Sequence, residues 1–197
     1  MKCLIPTFAT NPFHMSVQRE EKHLPILIAS CFVANFILGG IGQLFPFDSF
    51  GRAFSWQWSS LVFMTGTSLY AAKLHTEKWH ISSAGFILLS IGQGIIYTMQ
   101  NSDATNESQS LFAAGIMVFF PGMLLLSYYS GFPVWLRILG LMATLPFLVI
   151  MIKIDGQDYD VQKDQWFAAI GYIMLQLTGI LWSYFALRPY GKTTVQQ

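Results

Sequence analysis

Uncharged polar residues recur at helical spacing within three apolar stretches of this 197-residue chain. The members of each set are mostly three, four or seven residues apart, so each set occupies one face of a helix. Their amide and hydroxyl groups donate and accept hydrogen bonds without carrying charge. The three sets are Cys31, Asn35, Gly39 and Gly42; Ser83, Ser90, Gln93, Gly94 and Tyr97; and Tyr172, Gln176, Gly179 and Ser183.

Two interpretations of these faces are open. In the first, they hold helices together, because small residues allow close backbone approach and polar groups bond across the interface. In the second, Asn35, Gln93 and Gln176 converge on an internal cavity that binds a polar ligand. A neutral lining suits a neutral or weakly polar solute, since a charged solute would find no counter-charge there. The candidate ligand-binding residues are then Asn35, Gln93, Tyr97, Tyr172, Gln176 and Ser183.

The centres of the apolar stretches contain no Asp, Glu, Lys or His. Proton relays and ion-coupled pumps place ionisable groups inside the bilayer, so the sequence disfavours a proton-driven mechanism. Haem ligation within the bundle is disfavoured too, because membrane haems need ligands inside the spans. The four histidines all lie at or beyond the ends of the stretches, at His14, His23, His75 and His80. We therefore expect no cofactor.

Nucleophilic catalysis would need a base close to the nucleophile, and the apolar stretches offer none. Four serines offer hydroxyl groups within the apolar stretches, but no base lies at their depth to activate one. These serines are Ser30, Ser60, Ser68 and Ser90. An intramembrane enzyme that acts on lipids is therefore the weakest functional hypothesis, and we expect binding or transport rather than catalysis.

Two connecting segments contain residue types that bind metals. Residues 155–164 hold four aspartates, yet a calcium loop starting at Asp158 would need Gly and Glu where Lys163 and Ala169 stand. His75 and His80 flank Glu77 but lack the spacing that puts two histidines on one helical face. We expect no metal site in either segment.

Two prolines, Pro121 and Pro146, fall inside predicted helices and predict kinks there. Each frees the carbonyl oxygen four residues earlier, that of Met117 or Met142. Transporters use such broken helices to coordinate substrates. Proline is also tolerated in membrane helices as a device of shape alone, which is the favoured interpretation.

Composition determines which elements position these residues. Hydrophobic residues make up 53% of the chain and charged residues 11%, against roughly 25% in a soluble domain. Too few charges remain to cover a soluble fold, and the same figures exclude disorder and a coiled coil. A net charge of +1 disfavours nucleic-acid partners. The sequence predicts an all-α, polytopic integral membrane protein surrounded by the lipid bilayer.

Six charge-poor runs predict six transmembrane helices, because a spanning helix needs about 20 apolar residues. The longest run is divided by Ser130-Gly131-Phe132-Pro133, a turn signal. The runs are continuously apolar and lack the alternation of barrel strands. We place the helices near 25–45, 55–73, 81–100, 109–129, 133–153 and 166–187.

The distribution of Lys and Arg predicts that both termini are cytoplasmic. Eight of the eleven basic residues fall on the side of the termini, and seven of the ten acidic residues fall on the other. The chain divides into a cytoplasmic N-terminal tail (1–23), a transmembrane domain (24–188) and a cytoplasmic C-terminal tail (189–197). We expect no cleavable signal, since no sustained apolar region follows Lys2. The expected location is the cytoplasmic or plasma membrane.

The first outer loop, residues 45–58, is rich in aromatic residues. Interfacial anchoring is the favoured interpretation, because aromatic belts are expected at that depth. A short helix that covers the bundle and a docking surface for another membrane protein are the alternatives. The docking surface would make the chain an accessory or scaffold subunit, bound to a membrane partner or to a second copy of itself, which is the second functional hypothesis after solute binding.

Overall fold

The structure is a computed structural model that describes residues 12–46, 49–100 and 106–188. Within these ranges all regular structure is α-helical and no strand occurs, which confirms the all-α class. Residues 1–11 and the predicted C-terminal tail, 189–197, lie outside the described residues. The helices are α1 (Pro12–Gln43), α2 (Phe50–Thr76), α3 (His80–Gln100), α4 (Asn106–Leu126), α5 (Val134–Asp155) and α6 (Val161–Leu187).

Five of these helices are long and apolar enough to cross a membrane. Five such helices indicate a multi-pass membrane protein. The exception is α2, which is long enough at 27 residues but carries serine and threonine along its whole length. The qualifying segments are His23–Gln43, His80–Met99, Gln109–Leu126, Val134–Asp155 and Trp166–Leu187.

The segment expected to be the first outer loop is mostly helix. α2 begins at Phe50 rather than near residue 55. Ser49 caps it: its hydroxyl accepts the backbone N–H of Arg52 at 3.3 Å and donates to the Pro46 carbonyl at 2.8 Å. Aromatic residues at helical spacing, which we interpreted as loop anchors, form the first two turns instead. The expectation of a loop up to Trp58 was wrong because a serine cap starts the helix ahead of the apolar run.

The other helix boundaries also differ from the predicted ones at polar residues. α1 begins at Pro12, so residues 12–23 of the predicted tail are helical. α4 ends at Leu126 rather than 129, and Ser127 donates its backbone N–H to Met123 and Leu124 in a closing turn. Polar residues next to an apolar run do not reveal whether the helix continues through them.

α6 begins at Val161, about one turn before the predicted position. Two aspartates cap this end: Asp164 Oδ2 accepts the Asp160 backbone N–H at 3.0 Å, and Asp160 Oδ1 accepts the Lys163 backbone N–H at 3.3 Å. This arrangement resembles a capping box, with a second acid one turn inside the helix. Two of the four aspartates in residues 155–164 therefore lie at the start of a helix.

The six helices form a closed antiparallel ring, in which each helix packs against its neighbours in sequence and α6 packs against α1. Short connections favour this arrangement because they hold consecutive helices side by side. Closure is visible where Ser183 on α6 donates to the Ala29 carbonyl on α1 at 3.4 Å. The ring gives every helix two neighbours and an inner face.

Large aromatic side chains fill one half of the ring interior. Phe86 on α3 lies 5.0 Å from Trp182 on α6, centroid to centroid, so this half is packed across the full width of the ring. The other half lies where α1 ends and α2 begins, and we call it the Gln43 end. In this half the inner faces of the helices carry amide, serine and glycine residues, and they leave a cavity between them. The buried aromatic residues of the packed half are Phe32, Tyr70, Phe86, Tyr129, Phe132 and Trp182.

Two glycine pairs bring α3 and α4 into backbone contact. A Cβ on Gly92 would lie 2.8 Å from the Gly115 carbonyl oxygen, and one on Gly85 would lie 2.7 Å from that of Gly122. Real Cβ atoms do not approach so closely, so only glycine allows this separation. Close approach increases van der Waals contact, which drives helix association where lipid is as apolar as the protein.

Candidate functional site

The Asn35 amide joins α1 to α2. Its Nδ2 donates to the Ser59 backbone carbonyl at 3.1 Å and to the Ser59 hydroxyl at 2.8 Å. The Ser59 hydroxyl in turn donates to the Asn35 backbone carbonyl at 3.1 Å. Asn35 is 6% exposed, and this reciprocal bonding compensates for its burial in an apolar bundle.

The Gln93 amide makes the matching contact between α3 and α2. Its Nε2 donates to the Ser60 hydroxyl at 2.8 Å, and the side chain is 5% exposed. Ser59 and Ser60 are adjacent, but each helical residue advances the direction by about 100°, so one serine contacts α1 and the other contacts α3. α2 is thus the polar helix to which two amides attach.

α6 brings two further polar side chains to the same region. The Gln176 amide lies directly over Gly39 of α1, at a position that a Cβ on residue 39 would occupy. The Tyr172 ring contacts the rings of Trp56, at 6.1 Å, and Phe147, at 5.0 Å. Gly39 therefore makes the space into which Gln176 extends.

These side chains surround a single cavity between α1, α2, α3 and α6. Its volume, counted as the space that the centres of water molecules can occupy, is about 40 Å³. That is enough for about three water molecules. None of the lining residues is ionisable near neutral pH. The lining consists of Asn35, Gly39, Gln43, Trp56, Ser59, Ser60, Phe63, Gln93, Tyr172, Leu175 and Gln176.

Four of the six candidate ligand-binding residues meet at this cavity: Asn35, Gln93, Tyr172 and Gln176. The structure does not bring Tyr97 or Ser183 to it. Ser183 is buried in the packed half of the ring and donates to the Gly179 carbonyl at 3.0 Å. A role in ligand binding stays a prediction for all six.

Packing contacts and cavity lining therefore occur within the same helices. Ser83 on α3 donates to the Ala71 carbonyl of α2 at 2.8 Å, and Ser90 donates to that of Met64 at 3.2 Å. These are packing contacts, while Gln93 on the same face reaches the cavity.

Neither interior proline contributes to the cavity. Pro121 lies within α4 and Pro146 within α5, and no residue of these two helices is among those that line it. The residues whose carbonyls the prolines free, Met117 and Met142, are 61% and 47% exposed on the outside of the ring. Carbonyl coordination of a ligand by these helices is thus not part of this site.

The sequence did not reveal Ser59, Trp56 or Gln43 as parts of the site. Ser59 follows Ser55 at helical spacing, and both bond to α1, since the Ser55 hydroxyl donates to the Leu38 carbonyl at 2.6 Å. The predicted start of α2 near residue 55 left Trp56 at a helix end, where a membrane anchor is the ordinary explanation.

An ion pair connects α5 to α6 near the Gln43 end. Lys153 Nζ lies 2.5 Å from Asp164 Oδ1, and Asp164 is buried. The hydrogen bond from Lys153, followed by that from the Asp160 backbone N–H, lowers the pKa of the Asp164 carboxyl below its ordinary value. Burial, and then the charge of Asp164, raise the pKa of Tyr159.

The two segments with metal-binding residue types do not assemble a metal site. In the described part of the chain, no group of three His, Cys, Asp or Glu side chains is placed to hold an ion. His75 and His80 contact each other, with their Nδ1 atoms 3.3 Å apart, while Glu77 pairs with Lys73 at 2.5 Å. No protein-family model, no curated protein and no solved structure matches this chain.

Proposed function

We propose that this protein binds or transports a small neutral or weakly polar solute through the uncharged cavity at the Gln43 end. The observation that carries the proposal is the convergence of Asn35, Gln93, Tyr172 and Gln176, from three helices, on one polar space. Pure packing would fill this space with apolar side chains, as it does in the other half of the ring.

The absence of charge from the lining defines the class of solute. An ion brought into the bundle would lose its hydration without gaining a counter-charge, which costs several kcal/mol. An uncharged solute loses only hydrogen bonds to water, and amide and hydroxyl groups replace these. The volume of the cavity further favours a solute of very few non-hydrogen atoms.

The proposal includes a topology of six membrane spans with both termini in the cytoplasm. α2 is the sixth span despite its polarity, because its hydroxyls bond inside the protein rather than facing lipid unpaired. Thr67, for example, donates to the Phe63 carbonyl at 2.9 Å, and Ser59 and Ser60 bond to neighbouring helices. Satisfied polar groups lower the cost of membrane insertion.

A panel of small uncharged solutes tests the proposal on purified protein in lipid nanodiscs. We expect at least one solute to raise the melting temperature, since a ligand at 100 times its Kd stabilises the folded state by about 2.7 kcal/mol. The same solute should cross proteoliposomes faster than protein-free liposomes if the protein transports it. No stabilisation and no added flux across the panel would overturn the proposal.

Two adjacent glycines supply a matched pair of variants. Gly39→Ala forces the Gln176 side chain to move and should weaken the effect of the solute. Gly40→Ala is the control, because a Cβ at residue 40 would meet nothing within 4 Å. Equal responses from the two variants would place the binding site outside this cavity.

An accessory or scaffold subunit is the second candidate function. It is favoured by an exposed aromatic ridge on the first two turns of α2, formed by Phe50, Phe54 and Trp58. Phe50 stacks on Phe54 with ring centroids 5.8 Å apart, and Trp58 contacts Phe54 edge-on with centroids 6.1 Å apart. Extraction in native lipid tests this candidate: a solitary monomeric particle would argue against it, and a stable complex would support it.

A further inference from the structure

The orientation of the Asn35 amide is determined by its partner. Nδ2 donates to the Ser59 backbone carbonyl, which can only accept, so the nitrogen must face α2. The carbonyl oxygen Oδ1 then points away from this contact. No described residue donates a hydrogen bond to it.

Gln93 lies on α3, the other helix beside α2, and its amide nitrogen also donates to α2. Its Nε2 is directed to the Ser60 hydroxyl, and no described residue donates to its Oε1. Neither amide oxygen is among the fully enclosed unpaired atoms in the described part of the chain, so both keep accessible surface. The space beside both side chains is the cavity that they line.

Two nearly buried side chains, from the two helices that flank α2, therefore donate to α2 and each leave an unpaired acceptor beside the cavity. A buried carbonyl without a donor costs free energy, and a ligand that donates to it recovers that cost. A ligand that only accepts hydrogen bonds gains nothing from these two groups.

We propose that the cavity selects small uncharged solutes that donate hydrogen bonds, with Asn35 Oδ1 and Gln93 Oε1 as their acceptors. The inference rests on the proposed function and specifies its solute class. Space for about three water molecules limits such a solute to about three or four non-hydrogen atoms, the size of a simple amide or alcohol.

Three probes with the same number of non-hydrogen atoms and the same branching test this selectivity. Acetamide donates through its NH₂ group, 2-propanol donates through its hydroxyl, and acetone only accepts. Saturation-transfer NMR on their methyl groups, titrated against the protein in phosphatidylcholine nanodiscs, gives an affinity for each. Empty nanodiscs give the lipid background.

We expect at least one donor to bind about tenfold more tightly than acetone, since the acceptors remain unpaired when acetone is bound. The two donors together show whether amide or alcohol chemistry fits better. Acetone binding as well as both donors would overturn the selectivity while leaving solute binding intact. No binding of either donor would also overturn it, and the solute panel then decides separately whether the cavity binds any solute.

Variants assign the acceptor. Gln93→Met keeps the length of the side chain and removes the amide, so it should weaken the preference for the donor and leave the part that Asn35 Oδ1 contributes. Ser83→Ala is the control, because it removes another hydrogen bond between α3 and α2 without touching the cavity. A donor preference that is unchanged in Gln93→Met would overturn the assignment of Gln93 Oε1 as an acceptor. The comparison of probes on the unmodified protein stands even if that variant fails to fold.

Discussion

The hydrogen-bond partners of the individual polar side chains distinguish their roles in this bundle. The Asn35 and Gln93 amides each donate a hydrogen bond to a residue of α2, and both side chains line the cavity. Ser83 and Ser183 bond to carbonyls of neighbouring helices and hold the ring together. Residues of similar chemistry therefore bind helices or line the cavity according to which neighbour they meet.

The Asp164 carboxylate gives one residue-level prediction, on pH. Its folded-state pKa is lowered, so the ionised form stabilises the folded protein, and this contribution is full above the ordinary value of about 3.9. It is lost as the pH falls from there through the folded-state pKa. We expect the melting temperature to decrease over that range and Asp164→Asn to reduce the decrease.

Asp158→Asn is the control for this measurement, because Asp158 lies in the same connection but is exposed. Thermal unfolding across pH 2–6 in detergent would reveal the difference. If Asp164→Asn and Asp158→Asn change the profile equally, the Lys153–Asp164 pair is not its source.

At the scale of the helix, the local sequence determines how closely two helices approach and how each helix ends. The α3–α4 interface depends on glycines that let the backbones touch. α2 and α5 end differently, in αL turns formed by residues other than glycine, Lys78 at φ 65° and Gln157 at φ 59°. Each feature predicts whether a given substitution raises or lowers the stability of the folded protein.

Gly92→Ala should destabilise the protein by about 1–3 kcal/mol, because the added Cβ would lie 2.7 Å from the Phe119 ring and 2.8 Å from the Gly115 carbonyl. Gly94→Ala, on the same helix, is the control: its Cβ would lie 3.4 Å from the Met64 methyl group. Denaturant or thermal unfolding in detergent measures both. Equal stability of the two variants would contradict close backbone packing at Gly92.

Gln157→Gly should stabilise the protein by about 1 kcal/mol, since glycine adopts positive φ without the cost that a side chain incurs. The adjacent glycine does not serve this purpose: Gly156 is right-handed, at φ −75°. Gln157→Ala removes the side chain but keeps a Cβ, so it should not stabilise. Stabilisation by both variants would show that the gain has another origin.

At the scale of the whole molecule, ring closure creates the site. The cavity needs α1, α2, α3 and α6 together, and α6 reaches α1 only because the ring closes. One half of the interior is packed with aromatic rings and the other half contains the polar cavity, so the two are separated along the bundle axis.

The topology depends on whether α2 crosses the membrane, and this has a simple signature. With six spans the N- and C-termini lie on the same side, whereas five spans would put them on opposite sides. We expect reporters fused before Met1 and after Gln197 both to be cytoplasmic. Reporters on opposite sides would show that α2 does not cross, and two external reporters would reverse the orientation.

The sequence by itself determined the helices and the membrane environment. Long charge-poor runs must become helices in lipid, because only a helix satisfies its own backbone there. The sequence did not predict where α2 and α6 start, because both begin at polar caps, Ser49 and Asp160, that lie outside the apolar runs.

Only the tertiary structure decided which polar residues share a site. Helical spacing places Gln93 and Tyr97 on one face, and Gln176 and Ser183 on another, but it does not give the depth or the neighbour of each. The packing of the ring brings Gln93 and Gln176 to the cavity and excludes the other two from it. It also directs the Asn35 and Gln93 nitrogens towards α2, since hydrogen-bond polarity depends on partners from distant parts of the chain.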